Sequence, residues 1–373
     1  MKALILSTNT GGGHNAAGRA VLEALRARNV EARMRDILLF SGKKSSKVVC
    51  DTYVNLTTKA PALFGLAYQA GKFISTSKFK SVVYYANKPA ARRLACYIEK
   101  NGFDTVLMPH LFPAETLTAA RKNYGLSVKS YAIATDYTCI PFWEETEPDI
   151  FFIPHEDLRE EFMKKGIPGE KLVVTGIPVA RRFTVRRPRQ EARQRLGLPQ
   201  EGRLFLIMTG SMGFGNVDQL VSELFSLCGP SEHIVILGGN NEAMKSALRQ
   251  KFYGTNVRVV DYTNRVDEYM DACDLLFTKP GGLTSTEAAA KCIPIVHTAP
   301  IPGCENKNAE FFASHGFSIT GEDIPSLVRR AHALCGDKAA LNHMCAAQEK
   351  GIHRFAADAI CDFVLKEESS HDE

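Results

Sequence analysis

One histidine follows a run of three glycines near the start of the chain, in a position that suits proton transfer. Gly11, Gly12 and Gly13 come shortly after the apolar run of residues 2–7 and directly precede His14. Glycines after a strand allow a ligand to approach the backbone where the next helix begins, and imidazole accepts a proton near neutral pH. We therefore predict that His14 is a general base. The alternative is a structural histidine that hydrogen-bonds to its own turn.

A second glycine-rich segment, residues 209–215, follows the apolar run of residues 203–209. In such a loop the backbone N–H groups of Gly210, Ser211, Met212 and Gly213 bind an anion, because they point at it together with the dipole of the next helix. Glycine-rich turns between a strand and a helix are common. This segment alone therefore does not define a ligand.

The third segment, residues 278–289, combines a lysine with paired glycines. Lys279 stands beside Gly281 and Gly282, an arrangement that suits a ligand bearing phosphate. Thr284 and Glu287 have the spacing of a capping box, in which two side chains bind the amides at a helix N-terminus. A capping box accounts for Thr284 and Glu287, but it does not require Lys279.

Other familiar sites do not occur in the sequence. The glycine spacing does not match the G-x-G-x-x-G pattern of dinucleotide sites, and no P-loop Lys-Ser/Thr pair is present. The 10 cysteines include no C-x-x-C pair, which is typical of reduced thiols in the cytoplasm. No apolar run approaches the roughly 18 residues that cross a bilayer, and residues 2–6 are too short for a secretory signal. We expect a cytoplasmic protein.

The elements that must position these segments form two series of β-strands. Short apolar runs alternate with segments of helical period, which indicates an α/β fold with parallel, doubly wound sheets. A chain of 373 residues also exceeds the usual size of one hydrophobic core. We predict a first domain at 1–180, a linker at 181–202, a second domain at 203–355, and a C-terminal helix and tail at 356–373. The predicted strands are 2–7, 30–34, 104–109, 130–135, 149–153 and 171–174, then 203–209, 232–238, 256–260, 273–278, 293–297 and 317–319.

The charge is unevenly distributed along the chain. Residues 1–130 carry 20 Lys and Arg against 7 Asp and Glu, whereas residues 131–373 carry 26 against 34. Within the basic part, residues 41–100 hold 11 basic and 2 acidic residues, interleaved with aromatic side chains. This composition favours an anionic partner.

Taken together, these segments resemble a known family. The resemblance rests on the segments STNTGGGHNAAG (7–18), ATDYTCIPFW (134–143), VTGIPVARRF (174–183), MTGSMGFGN (208–216), TKPGGLTSTEA (278–288) and PIPGCENKNAEFF (300–312). In order and spacing they are similar to monogalactosyldiacylglycerol synthases and processive diacylglycerol glucosyltransferases. The resemblance implies the GT-B fold, with two Rossmann-like doubly wound domains facing across a cleft. It also implies a UDP-sugar donor bound by the C-terminal domain, a lipid acceptor bound by the N-terminal domain, and inversion at the anomeric carbon.

On this resemblance, His14 takes the proton of the acceptor hydroxyl, beside a loop formed by Gly11, Gly12 and Gly13. Asp136, at the end of the strand 130–135, orients His14 or acts as the base itself. The diphosphate that leaves is stabilised by backbone amides and by Lys279. No D-x-D sequence occurs, so we expect no catalytic metal and no cofactor besides the donor substrate. The donor-binding residues are then Gly210, Ser211, Met212, Gly213, Lys279, Gly281, Gly282, Thr284, Glu287, Glu305 and Asn308, with Glu287 on the ribose and with Glu305 and Asn308 on the sugar hydroxyls.

The basic segment 41–100 acquires a role on the same resemblance, because Lys side chains bind anionic lipid headgroups while Phe inserts into the interface. We expect a peripheral protein on the inner face of the cell membrane, and the alternatives are a solvated face or a nucleic-acid patch that no recognised motif supports. The residues expected at the membrane are Lys72, Phe73, Lys78, Phe79, Lys80 and Lys88.

Two other classes of protein remain open at this point. One is a soluble nucleotide-sugar enzyme of the same architecture, such as an epimerase, which needs no lipid-binding segment. The other is a non-catalytic nucleotide-sugar-binding protein, in which His14 is dispensable.

Overall fold

The structure is a computed structural model that describes residues 1–8, 12–41, 84–85, 88–210, 216–298, 300 and 303–369. It divides into two compact units. The first comprises Met1–Arg181, Pro302–Cys304 and His353–Glu373, and the second comprises Arg182–Ile301 and Glu305–Ile352.

Each unit contains a parallel six-stranded sheet. In the first unit the strands are β1 (Lys2–Ser7), β2 (Glu31–Asp36), β3 (Thr105–Met108), β4 (Lys129–Ile133), β5 (Ile150–Ile153) and β6 (Leu172–Val174). In the second they are β7 (Leu204–Met208), β8 (His233–Leu237), β9 (Val257–Val260), β10 (Leu275–Thr278), β11 (Ile295–His297) and β12 (Ser318–Thr320). All twelve strands predicted from the sequence are confirmed, with small shifts at their ends.

The α-helices of the described residues are α1 (Gly12–Ala27), α2 (Leu38–Ser41), α3 (Ala91–Asn101), α4 (Leu111–Tyr124), α5 (Arg159–Lys164), α6 (Arg181–Thr184), α7 (Arg189–Leu196), α8 (Val217–Leu227), α9 (Glu242–Lys251), α10 (Val266–Ala272), α11 (Gly282–Ala290), α12 (Cys304–Ser314), α13 (Ile324–Leu334), α14 (Lys338–Gly351) and α15 (Ala356–Ser369). None of the helices in this part of the chain is long and apolar enough to cross a membrane.

The central strands are buried along nearly their whole length, as expected where helices cover both faces of a sheet. Every residue of β3 and of β10 is buried. In the first unit, Val21 and Leu25 of α1 share a core with Ile360 and Val364 of α15. The C-terminal helix, predicted as a separate segment, is therefore part of the first unit.

The strand order defines one special position in each sheet. The order is β2-β1-β3-β4-β5-β6 in the first unit and β12-β11-β10-β7-β8-β9 in the second. The strand order therefore reverses its direction between β1 and β3 in the first sheet, and between β7 and β10 in the second. These two positions are the switch points of the two units. Ligands of open α/β sheets bind outside the carboxyl ends of the strands at such a switch point.

The arginine-rich segment 181–202, predicted as a linker, contains α6 and α7 and lies almost entirely in the second unit. Arg193 is 2% exposed and donates to the carbonyl oxygen of Ala272 at 3.0 Å and to Asp274 at 2.8 Å. Arg195 bonds Glu268 at 2.9 Å. These arginines are bound to acids of the second unit, so the segment is a packed element of that unit.

Candidate functional site

The switch point of the first unit holds the predicted base. α1 begins at Gly12, so Gly12, Gly13 and His14 all lie in its first turn, while Gly11 lies outside the described residues. Gly18 allows α1 to lie close to the sheet, because a Cβ atom at this position would be 3.1 Å from Ile5. His14 is thereby fixed beside the carboxyl end of β1.

Hydrogen bonds determine the tautomer of the His14 ring. Nδ1 of His14 lies 3.0 Å from the carbonyl oxygen of Pro109 and 2.8 Å from Oγ1 of Thr135. A carbonyl oxygen only accepts, so the neutral ring carries its hydrogen on Nδ1 and its lone pair on Nε2. This is the form that a general base needs.

The surroundings of His14 favour its neutral state. Burial lowers the pKa of His14 below its usual value, although the charge of Asp136 and the carbonyl of Pro109 oppose this effect. The ring therefore accepts a proton from a substrate at neutral pH without first having to lose one. Asp136 lines the same pocket and acts on His14 through its charge.

The sequence analysis missed a second histidine at this site. His110 lies two residues after the end of β3 and caps α4, where its Nδ1 accepts the backbone N–H of Phe112 at 3.1 Å. The rings of His14 and His110 lie nearly perpendicular, with their centroids 4.5 Å apart. The position of His110 at the end of a central strand was the signal that could have identified it. The pocket at this switch point is lined by His14, His110, Leu111, Thr135, Asp136, Thr138, Ile140 and Trp143.

One wall of this pocket is the loop after β4, and α5 holds it in place. Thr138 donates its hydroxyl to Oε1 of Glu161 at 2.6 Å, and the backbone N–H of Cys139 donates to the same oxygen at 3.1 Å. Because one carboxylate fixes two consecutive residues of the loop, the nearby Asp136 has a defined position.

The switch point of the second unit brings two of the predicted glycine segments together. Gly210 follows β7 with a φ of 72°, and a Cβ atom at this position would lie 3.3 Å from Cε of Lys279, which follows β10. Gly210 therefore gives Lys279 room to lie across the strand ends. Ser211, Met212 and Gly213 lie outside the described residues.

Lys279 forms an ion pair that the sequence did not predict. Its ammonium nitrogen lies 2.6 Å from Oε1 of Glu305. The same oxygen would be 4.0 Å from a Cβ atom on Gly281. A cation, a carboxylate and a glycine thus meet at the end of β10, and the pocket beside them is lined by Ile207, Met208, Thr209, Asn216, Val217, Leu220, Phe277, Lys279, Thr298 and Ile324.

The start of α11 rules out the capping box. The helix begins at Gly282, and its cap residue Gly281 makes no side-chain bond. Thr284 and Glu287 therefore lie inside the helix. Burial raises the pKa of Glu287 to about 8, and the charge of Asp267 adds to this effect whereas that of Arg182 opposes it.

Asn308 is fully buried and holds the turn before α11. Its side-chain amide donates to the carbonyl oxygen of Pro280 at 3.0 Å. Farther along α11, Ser285 lies 2.9 Å from Nε2 of His297, whose Nδ1 lies 3.1 Å from Ser318. These contacts fix α11 and the glycines that precede it.

One cluster in the second unit has the composition of a metal site. Ligand atoms of Cys292, Cys345 and Glu349 lie within 4.8 Å of one another. However, the guanidinium of Arg186 already bonds Cys292 and Glu349. The place of a cation is thus taken by a side chain, and we assign no metal to this cluster.

The residues predicted to contact a membrane cannot be located in the same way. Lys72, Phe73, Lys78, Phe79 and Lys80, as well as the side chain of Lys88, lie outside the described residues.

Comparison with known proteins gives two family matches along the chain. Residues 14–179 match the monogalactosyldiacylglycerol (MGDG) synthase family, and residues 188–351 match the glycosyl transferases group 1 family. The first match begins at His14 and includes Asp136. The second covers β7 to β12 with the glycine segments after β7 and β10.

Curated relatives match nearly the whole chain. Processive diacylglycerol beta-glucosyltransferases of Bacillus cytotoxicus and Bacillus cereus are each 28% identical to it, over 98% of this chain and 94% of their own length.

Solved structures share the fold at low sequence identity. MurG of Acinetobacter baumannii has a TM-score of 0.64 at 14% identity and covers 98% of this chain and 99% of its own. Anabaena HepE, solved in complex with UDP and glucose, has a TM-score of 0.61 at 12% identity and covers 99% and 100%. The expected GT-B class of two Rossmann-like units is thereby confirmed. The chain is a glycosyltransferase that is similar to monogalactosyldiacylglycerol synthases over residues 14–179 and to processive diacylglycerol beta-glucosyltransferases over nearly its whole length.

Proposed function

We propose that the protein transfers a hexosyl group, with inversion, from a UDP-sugar to the hydroxyl of a diacylglycerol-type lipid. The observation that supports this proposal is that the switch points of the two units hold complementary chemical groups. One holds a neutral histidine with its lone pair on Nε2, and the other holds a lysine beside glycines at a helix N-terminus. The first is the base that a hydroxyl acceptor needs, and the second is a site for a diphosphate.

The donor binds to the second unit. Lys279 and the amides at the start of α11 stabilise the negative charge of the leaving diphosphate, as does the glycine loop that follows Gly210. Glu287 binds the ribose hydroxyls, and Glu305 contacts the sugar while it holds Lys279. Asn308 acts by fixing the turn at Pro280, because its amide is already bonded there.

The chemical step uses residues of the first unit. The acceptor oxygen attacks the anomeric carbon while the bond from this carbon to the diphosphate oxygen breaks, and UDP leaves with the bonding electrons. Nε2 of His14 takes the hydroxyl proton, and Asp136 stabilises the imidazolium that forms. No step requires a metal, and we propose that none takes part.

Glucose is the donor sugar that we favour. The relatives from Bacillus are named for a beta-glucosyl product, and inversion of an α-linked UDP-glucose yields a β-linkage.

A UDP-release assay tests this proposal. We expect UDP-glucose to be consumed rapidly only when vesicles contain diacylglycerol. Slow release of UDP that is independent of diacylglycerol would indicate hydrolysis. Conversion of the sugar without release of UDP would indicate an epimerase. Either result contradicts the proposal.

We also propose that the basic segment 41–100 attaches the protein to an anionic membrane surface. Its 11 basic residues against 2 acidic ones support this role, since each Lys or Arg near such a surface contributes about 1 kcal/mol to binding.

Changing Lys78 and Lys80 to Glu should weaken flotation with phosphatidylglycerol vesicles by at least about tenfold. The same change at exposed Lys338 and Lys350 of the second unit is the matched control, and equal effects of the two double variants would contradict the assignment.

A further inference from the structure

His14 and His110 carry their hydrogens on opposite ring nitrogens. Nδ1 of His14 donates to the carbonyl oxygen of Pro109 at 3.0 Å, so its lone pair is on Nε2. Nδ1 of His110 accepts the backbone N–H of Phe112 at 3.1 Å, so its hydrogen is on Nε2. Each assignment follows from the partner, because a carbonyl cannot donate and an amide N–H cannot accept.

Both rings are held in the neutral form. Burial lowers the pKa of each, and for His110 the charge that His14 gains adds to the effect. His110 also caps the N-terminus of α4, where the positive end of the helix dipole disfavours an imidazolium. His110 therefore remains a neutral N–H donor even when His14 becomes charged.

The two rings line one pocket, with their centroids 4.5 Å apart. The two rings that line the pocket thus carry, between them, one Nε2 atom that can accept a hydrogen bond and one that can donate one. A hydroxyl group offers the complementary pair, since it has one hydrogen to donate and two lone pairs to accept with. A carboxylate or a carbonyl group has no hydrogen for Nε2 of His14.

We propose that His110 is a second catalytic residue, whose Nε2 hydrogen binds the oxygen of the acceptor hydroxyl while Nε2 of His14 removes the proton from that oxygen. This inference rests on the proposed function. One lone pair of the oxygen accepts from His110, and the other forms the bond to the anomeric carbon. The proton moves to His14, and the electrons of the broken bond leave with UDP.

The substitution His110→Asn tests this role, and the chain offers a matched control. Asn is a favoured helix cap, so it replaces the bond to Phe112 but lacks the distant N–H of the imidazole. His155 makes the same cap, accepting the N–H of Asp157 at 3.2 Å, and has nearly the same backbone angles as His110. His155→Asn therefore removes an equivalent ring outside the pocket.

We expect His110→Asn to lower kcat/KM for the lipid acceptor by about tenfold, the upper end for one neutral hydrogen bond. The Kd of UDP should stay unchanged, and His155→Asn should behave like the wild type. If the two variants have equal kcat/KM, the role of His110 is refuted. A wild type that releases no UDP with diacylglycerol refutes the proposed function instead.

A spectroscopic measurement tests the two proposed tautomers directly and does not depend on enzyme activity. Long-range ¹H–¹⁵N spectra of the wild type at neutral pH should show His14 with its hydrogen on Nδ1 and His110 with its hydrogen on Nε2. The inference is overturned if His110 carries its hydrogen on Nδ1 or is charged at this pH.

Discussion

The ammonium nitrogen of Lys279 lies 2.6 Å from Oε1 of Glu305, which joins the loop after β10 to the first turn of α12. Glu305 is largely buried, with 9% of its side chain exposed, whereas Lys279 is 25% exposed. The carboxylate thus holds the lysine at the switch point of the second sheet while part of the lysine side chain stays exposed. A cation positioned in this way is ready for an anionic ligand before the ligand arrives.

Replacing this lysine should weaken binding of phosphate groups specifically. We expect Lys279→Met to weaken UDP binding by at least about tenfold, since a hydrogen bond to a charged group contributes roughly 1.5–3 kcal/mol. Uridine should bind unchanged, because it lacks the diphosphate. Calorimetry with UDP and uridine measures both affinities, and an equal loss for the two ligands would mean that Lys279 does not contact the diphosphate.

Removal of the proposed base should act on the chemical step. We expect His14→Ala to lower kcat by at least about 100-fold, the lower end of general-base contributions, while the Kd of UDP changes little. Steady-state kinetics and calorimetry on the same preparation separate the two effects. Full activity in this variant would remove His14 from the mechanism.

The pH dependence of kcat/KM should report the environment of His14. Burial lowers the pKa of His14 from 6.5 and Asp136 raises it, while the neighbouring His110 stays neutral. The base works in its neutral form, so activity should fall as the pH drops through a midpoint below 6.5.

Asp136→Asn should then move this midpoint to still lower pH, because the charge that raises the pKa of His14 is gone. Complete loss of activity at every pH would instead identify Asp136 as the base. An unchanged midpoint would show that its charge does not act on His14.

The buried carboxyl of Glu287 should make the stability of the second unit depend on pH. Its pKa is about 8 in the folded protein and about 4.3 in an unfolded chain. Between these values the folded state holds a proton that the unfolded state has lost, so the free energy of unfolding decreases as the pH rises. Glu287→Gln cannot ionise. We expect its Tm to exceed that of the wild type by at least about 2 °C at pH 9 and to equal it near pH 4.

Exposed Glu99 supplies the control for this measurement, because Glu99→Gln removes a carboxyl that is not buried. If Glu287→Gln and Glu99→Gln show the same pH dependence of Tm, the carboxyl of Glu287 is not the source of the effect.

The sequence predicted the strands well because most of them are short apolar runs, as β3 and β10 illustrate. The glycine segments and His14 were found for a similar reason, since they lie within a few residues of the ends of strands 2–7, 203–209 and 273–278. The twelve strands and the position of His14 are therefore local properties of the chain.

Contacts between distant segments could not be predicted in this way. His110 meets His14 only because β3 lies beside β1 in the sheet, and Asn308 reaches Pro280 across 28 residues. The arginines of residues 181–202 were predicted to form a basic linker, because their acidic partners, such as Asp274, are distant in the sequence. The capping box failed because α11 begins two residues before Thr284, at Gly282.

Transfer of labelled sugar to lipid tests the central claim most directly. UDP-glucose labelled with ¹³C in the sugar is incubated with the protein and vesicles that contain diacylglycerol, and the extracted lipid is examined by mass spectrometry and NMR. We predict that the label appears in glucosyl diacylglycerol with a β-linkage, in the wild type but not in His14→Ala. Label that remains confined to nucleotide sugar or free sugar, with every lipid fraction unlabelled, would contradict the account.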